Sequence, residues 1–234
     1  MASWLTRIKR RLLREAGIHY RKSYAQCGED MIIRFVFDAL KIDRPRFLDL
    51  GAHHPTYLSN TYALYAQGSR GVNVDASPSA IAAFGRMRPE DVNLNVGVGP
   101  EPGELTFHEM SVPTLSTFSA AQAKGYEAEG SARIVSSRPV AVRTFHDIVR
   151  EHFDGPPDFV SLDVEGLDVA ILESIDFSAC RPTVFCVETL TYSSARQGDR
   201  IDAIDPIMQA AGYMRYADTH VNTIYVVEST WRSR

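Results

Sequence analysis

Short apolar runs that stop on an acid or a turn residue alternate with helical stretches along this chain, and that alternation constrains its fold more than any other feature. The runs are RFLDL (46–50), GVNVD (71–75), NLNVGV (93–98), FVSLDV (159–164), TVFCVE (183–188), YMRYAD (213–218) and TIYVVE (223–228). Their β-branched, near-continuous apolar character reads as strands buried on both faces. Helical patterns fall between them at about 27–40, 58–67, 78–86, 144–152, 167–175 and 200–211. Strands separated by helices predict a mostly parallel sheet covered on both sides, an α/β fold. Only THVN separates the last two strands, too short for a parallel crossover, so they are expected to pair antiparallel at the sheet edge.

One stretch breaks the rhythm. Between about 100 and 143, LTFHEM and RPVAVRT read as extra strands around an Ala/Ser/Gly-rich segment, SAAQAKGYEAEGSAR. It is expected to be an insertion over the ligand face of the sheet, with the character of a mobile lid. The chain thus divides into an N-terminal helical extension (1–45) and a main domain (46–234) carrying this insertion.

Charge is uneven. The formal net charge is −4, yet residues 1–22 hold seven basic side chains and one acidic one, which leaves the remainder at −10. An acidic body argues against a nucleic-acid partner. The basic segment also carries Trp4, Leu5, Ile8, Leu12 and Leu13 near helical spacing, which suits a helix packed on the domain or one lying on an anionic membrane or a partner. No run approaches the roughly 18 apolar residues of a transmembrane helix. No secretory signal is visible either, so a cytoplasmic protein, with peripheral membrane contact through residues 1–22 as an option, is expected. Cys27, Cys180 and Cys186 lack metal or disulfide spacing and read as buried reduced thiols.

In an open α/β sheet, ligands bind beyond the carboxyl ends of the strands, near the switch point. The first strand ends in Asp49-Leu50-Gly51-Ala52-His53, and a helix from about Leu58 would offer free N–H groups, with Ser59 and Asn60 close by. The second ends in Asp75, followed by Ala76, Ser77 and Pro78. That spacing suits a carboxylate accepting from both ribose hydroxyls, and Ser77 with Pro78 reads as a helix start. Val96 and Gly97 offer backbone and an apolar wall to a base. Asp163 and Glu165 follow the fourth strand, and Glu188 ends the fifth. A dinucleotide needs G-x-G-x-x-G, whereas GAHHPT places His53, His54 and Pro55 where a pyrophosphate would meet backbone. A nucleoside with an amino-acid 5′ substituent tolerates this turn, which points to S-adenosylmethionine (SAM).

At these residues the sequence resembles the FkbM-type SAM-dependent methyltransferases. The matching stretches are SYAQCGED (23–30), FLDLGAHHPTYLSNTY (47–62), GVNVDASP (71–78), NVGVG (95–99), LSTF (115–118), VRTFHDI (142–148), FVSLDVEGLDVAILESIDF (159–177) and NTIYVV (222–227). Pro55 stands where that family often has glycine. The resemblance implies a Rossmann-like class I methyltransferase fold, with a seven-stranded mostly parallel sheet and an antiparallel edge hairpin. It also implies O-methylation of a sugar or natural-product hydroxyl. By the resemblance, Asp49, Gly51 and Ala52 line the methionine end with Ser59 or Asn60. Asp75 holds the ribose, Ala76 and Ser77 lie near the adenine, and Val96 and Gly97 border it. Gln26 and Glu29 close over the methionyl part.

An alcohol is a poor nucleophile until its proton is taken. Asp163, Glu165, His53 and His54 are the candidate bases, Asp163 foremost. Asp163 and Glu188 could instead share a Mg²⁺ with acceptor hydroxyls, and His220 and Asn222 could touch the acceptor. The acceptor itself is expected to be a small molecule or a glycan unit. The alternative function is a non-catalytic SAM-binding module recruited through its basic N-terminal helix. The sequence leaves the oligomeric state open.

Overall fold

The computed structural model describes residues 21–164, 166–190 and 198–234, together with Glu15. The amphipathic basic stretch with Trp4 to Leu13, and Glu165, lie outside the described residues. Seven strands form the main sheet: β1 (Phe47–Leu50), β2 (Gly71–Val74), β3 (Val92–Leu94), β7 (Phe159–Leu162), β8 (Val184–Glu188), β9 (Tyr213–Asp218) and β10 (Asn222–Val227). Their order is β3-β2-β1-β7-β8-β10-β9. The neighbours from β3 to β8 pair in parallel, while β10 runs antiparallel to both β8 and β9. The antiparallel pair expected from the short THVN link is present, with β10 seated between β8 and the edge strand β9. The order reverses between β1 and β7, which places the switch point there.

β1, β7 and β10 are buried along their whole length, which explains their continuous apolar runs. Alternate residues face opposite layers. Leu48, Leu50, Val160 and Leu162 pack on Ile148 and Val149 of α5 (Phe145–His152) and on Ile171 and Leu172 of α6 (Asp168–Ser174). Phe47, Phe159, Val184 and Ile224 pack on Ile33, Val36 and Phe37 of α1 (Glu29–Leu40) and on Leu64 of α2 (Tyr62–Tyr65). The described part of the N-terminal segment is therefore built into this core. Among the described residues, no helix is long and apolar enough to cross a membrane.

Three local expectations change. The run 93–98 is not one strand. β3 stops at Leu94, and β4 (Gly97–Val98) joins β6 (Ile134–Arg143) and β5 (Gly103–Met110) in a second sheet. Asn95 causes the break, since its side-chain amide donates to the carbonyls of Asp75 and Ala76. The helix expected over 58–67 shrinks to α2, because Leu58 is left-handed (φ 53°) and Ser59 N–H donates to the Tyr24 carbonyl. The helix expected over 200–211 shrinks to α7 (Ile204–Ala210), because Leu190 and Arg200 form a β-bridge. Cys27 is exposed, against expectation; Cys180 and Cys186 are buried, and all three are free.

The expected insertion strands are β5 and β6, paired antiparallel. Between them lies α4 (Ala120–Ala128), capped by Ser119, whose side chain accepts from Gln122 N–H. Ser77 caps α3 (Pro78–Met87) as its sequence grammar implied, accepting from Ala80 N–H with Pro78 in the first turn.

Candidate active site

The carboxyl ends of β1, β2, β7 and β8 open into a cavity of about 310 Å³, roofed by the insertion. Nearly all the described residues expected to bind a cofactor line it: Gln26, Asp49, Gly51, Ala52, Asn60, Asp75, Ala76, Ser77, Val96 and Gly97. Asp163 and His53 line it as well. Two expected residues do not. Glu29 is fully buried beneath the site, where its carboxylate accepts from Cys27 N–H, Thr219 Oγ1 and Asn222 Nδ2. Ser59 is buried, and its hydroxyl oxygen accepts from Tyr62 N–H. Through its bond from Nδ2, Glu29 holds Asn222, which does reach the cavity.

The turn after β1 answers how histidines replace glycines. Gly51 is left-handed (φ 79°), and a Cβ there would sit 1.7 Å from the Asp163 carbonyl oxygen. The close approach of the neighbouring strand end by itself requires glycine here. His53 is also left-handed (φ 52°), and its N–H donates to Asp75 Oδ2 at 2.8 Å. Histidine tolerates that region better than most residues. His54 serves the turn itself, its Nδ1 accepting from the N–H groups of Thr56 and Tyr57. Burial and the nearby His54 hold His53 below the ordinary histidine range, so it is neutral at physiological pH.

Asp75 Oδ1 accepts from Ser77 N–H at 2.7 Å, so each carboxylate oxygen carries one backbone donor. Each oxygen keeps a lone pair, a suitable acceptor for a vicinal diol. Burial pushes the Asp75 carboxyl up, opposed by those two backbone donors. Val96, Gly97, Val98 and Phe118 supply an apolar wall. Gly97 is glycine because a Cβ would meet the Phe118 ring at 2.6 Å. That ring, with Phe107 and Met110 of β5, comes from the insertion, whose sequence carried no periodic signal for this role.

Asp163 and Glu188 end adjacent strands and share a side-chain hydrogen bond. The Asp163 carboxyl is pushed up to about 7 by burial first, then by the negative charge of Asp168. Asp168 was missed from sequence. It opens α6, and its carboxylate accepts from Val164 N–H (3.1 Å) and Gly166 N–H (3.3 Å), which shapes the turn after β7. An acid at a helix start is the signal that pointed to it. Asn222 lies opposite Glu188 in the β10–β8 register and lines the cavity. His220 does not; it sits in the hairpin turn at φ 76°, its N–H donating to Asp218.

Among the described residues no group of three His, Cys, Asp or Glu side chains is arranged to hold a metal. Asp163 and Glu188 bond to each other with no third such group beside them, so the described residues do not support the Mg²⁺ that was one option for the pair. SAM fits better. The described lining holds Asp49, Asp75, Glu109, Asp163 and Glu188 with no lysine or arginine, which suits a cation bearing sulfonium and ammonium groups.

A sequence profile of the Methyltransferase FkbM domain matches residues 49–214. The chain belongs to the FkbM methyltransferase family. It is a SAM-dependent methyltransferase of Rossmann-like fold, and its strand order and switch-point cavity follow from that. Solved structures similar to this methyltransferase include a TehB-like SAM-dependent methyltransferase from Corynebacterium glutamicum, with 11% identity, 95% of this chain and 96% of that one covered, and a TM-score of 0.43. An O-methyltransferase from Bacillus cereus in complex with S-adenosylhomocysteine has 12% identity, coverage of 94% and 89%, and a TM-score of 0.41. A 16S rRNA N2 G1207 methyltransferase from T. thermophilus has 10% identity, coverage of 85% and 42%, and a TM-score of 0.38. No curated protein matches the chain.

Proposed function

We propose that this methyltransferase acts on a hydroxyl oxygen of a small hydroxylated acceptor, a sugar unit of a glycan or a natural product. The observation that carries the reading is the Asp163 carboxyl, pushed up to about 7 and bonded to Glu188 at the cavity floor. A base matched to neutral pH is what alcohol methylation asks of the protein. The absence of lysine and arginine from the described lining favours an uncharged acceptor over a phosphorylated one.

When bound, SAM supplies a sulfonium-activated methyl and leaves as S-adenosylhomocysteine. Asp75 would hold the ribose diol, Asp49 would face the ammonium, and Val96, Gly97 and Phe118 would flank the base. Ionised Asp163 accepts the acceptor's hydroxyl proton as that oxygen becomes the nucleophile. The insertion residues Phe107, Met110, Thr114 and Phe118 line the cavity from above and would shield the reacting groups when the cofactor and acceptor are bound.

The test is transfer of labelled methyl from SAM to a panel of neutral sugars, hydroxylated natural products and their phosphorylated or amino counterparts. Methyl ethers formed on neutral acceptors, lost in Asp163→Asn while S-adenosylhomocysteine binding is kept, support the reading. Methylation confined to amines or phosphorylated compounds, or full turnover by Asp163→Asn, overturns it.

A further inference from the structure

Arg88 lies immediately after α3 and does not itself line the cavity, yet it is fully buried. Its guanidinium stands over the rings of Phe47 (5.0 Å), Tyr65 (4.9 Å) and Phe84 (5.2 Å), and Nε donates to Asp91 at 2.8 Å. Nη1 donates to Thr61 Oγ1 at 3.0 Å. Arginine has only donors, so the Thr61 oxygen is the acceptor in that bond. The Thr61 hydroxyl hydrogen is then directed to its other short partner, Asp49 Oδ2, at 2.6 Å.

A second hydroxyl is wired the same way. Asn60 Nδ2 donates to Ser161 Oγ at 3.2 Å, and the Ser161 hydroxyl bonds to Asp49. Asp49 therefore sits buried at the cavity floor with two hydroxyls polarised to donate to it. Burial pushes the Asp49 carboxyl up, and these donors, together with the Arg88 charge, oppose that shift.

We infer that Arg88, acting through Thr61, is a positioning residue that holds Asp49 ionised and aimed into the cavity, so that it receives the ammonium group of the cofactor's amino-acid end. The inference rests on the reading of the cavity as the SAM site. The aromatic seat and Asp91 fix the guanidinium, so the relay has one direction only. Charge enters at Arg88, and an acceptor is guaranteed at Asp49. Replacing Thr61 by valine keeps the volume and removes the wire. Serine restores it.

The experiment is calorimetric binding of S-adenosylhomocysteine at pH 8 to wild-type, Thr61→Val, Thr61→Ser, Asp49→Asn, Arg88→Met and the Asp49→Asn, Thr61→Val double variant. Circular dichroism first shows each variant folded; if Arg88→Met fails to fold, the Thr61 variants decide. Thr61→Val is expected to bind roughly 10-fold more weakly at pH 8, the cost of one hydrogen bond to a charged group. Thr61→Ser should bind within about 2-fold of wild type, since its hydroxyl remakes the bond, and Thr61→Val should cost nothing further in the Asp49→Asn background. Equal affinity of Thr61→Val and wild type, or a loss that serine does not rescue, overturns the inference. Failure of the wild-type protein to bind S-adenosylhomocysteine overturns the cofactor-site reading instead, a separate outcome.

Discussion

Replacing Asp163 by asparagine is expected to abolish turnover and, at alkaline pH, to stabilise the fold. The Asp163 carboxyl moves from an ordinary 3.8 to about 7 on folding. Between those values the native state binds a proton that the unfolded state has released. Stability contributed by the neutral carboxyl is therefore lost as pH rises, and above 7 the native state carries an ionised group it disfavours. At about 1.4 kcal/mol per tenfold change in protonation equilibrium, the full cost is about 4 kcal/mol at pH 8 and under about 2 kcal/mol at pH 5. Water in the open cavity and the lost hydrogen bond with Glu188 reduce the gain in the variant by about 1–2 kcal/mol. The net expectation is an Asp163→Asn protein more stable than wild type by about 2 kcal/mol at pH 8 and about equal to it at pH 5. For a domain of this size that is a melting-temperature rise of about 4–8 °C at pH 8. Denaturant titration or calorimetry at the two pH values measures it. A variant no more stable than wild type at pH 8, or one equally stabilised at both pH values, refutes the placement of Asp163 as a strained, desolvated acid.

Three further outcomes are expected. The negative charge of Asp168 helps raise Asp163, so Asp168→Asn should move the acid limb of the pH–rate profile to lower pH; an unmoved or raised inflection contradicts that coupling. Asp75→Ala should weaken S-adenosylhomocysteine binding roughly 10- to 100-fold by calorimetry, because the ribose acceptor is lost and His53 and Ser77 N–H lose their partner. Unchanged affinity would remove Asp75 from the site. Gly51→Ala should cost more than about 3 kcal/mol in denaturant unfolding, combining left-handed strain with a backbone collision; a loss under about 1 kcal/mol would show that the β1 and β7 ends move apart freely.

The sequence by itself determined what is local. The buried strands β1, β2, β7, β8 and β10 were legible because an apolar run needs both faces covered, and the Ser77–Pro78 start of α3 because capping is decided within four residues. That Asp49, Asp75 and Asp163 line one cavity was legible because strand ends in such a sheet converge, without contact information. Tertiary structure decided which side chains touch. Asp163 and Glu188 share a hydrogen bond only because β7 and β8 lie side by side, and no spacing encodes the burial that raises the Asp163 carboxyl. Asn95 broke one expected strand in two by bonding to a loop twenty residues back. Gly51 meets the Asp163 carbonyl on a neighbouring strand, and Arg88 reaches Asp49 through Thr61, which the sequence places inside an expected helix. Periodicity and capping act over a few bonds. Protonation, donor direction and close approach depend on distances that exist only once the chain has closed on itself.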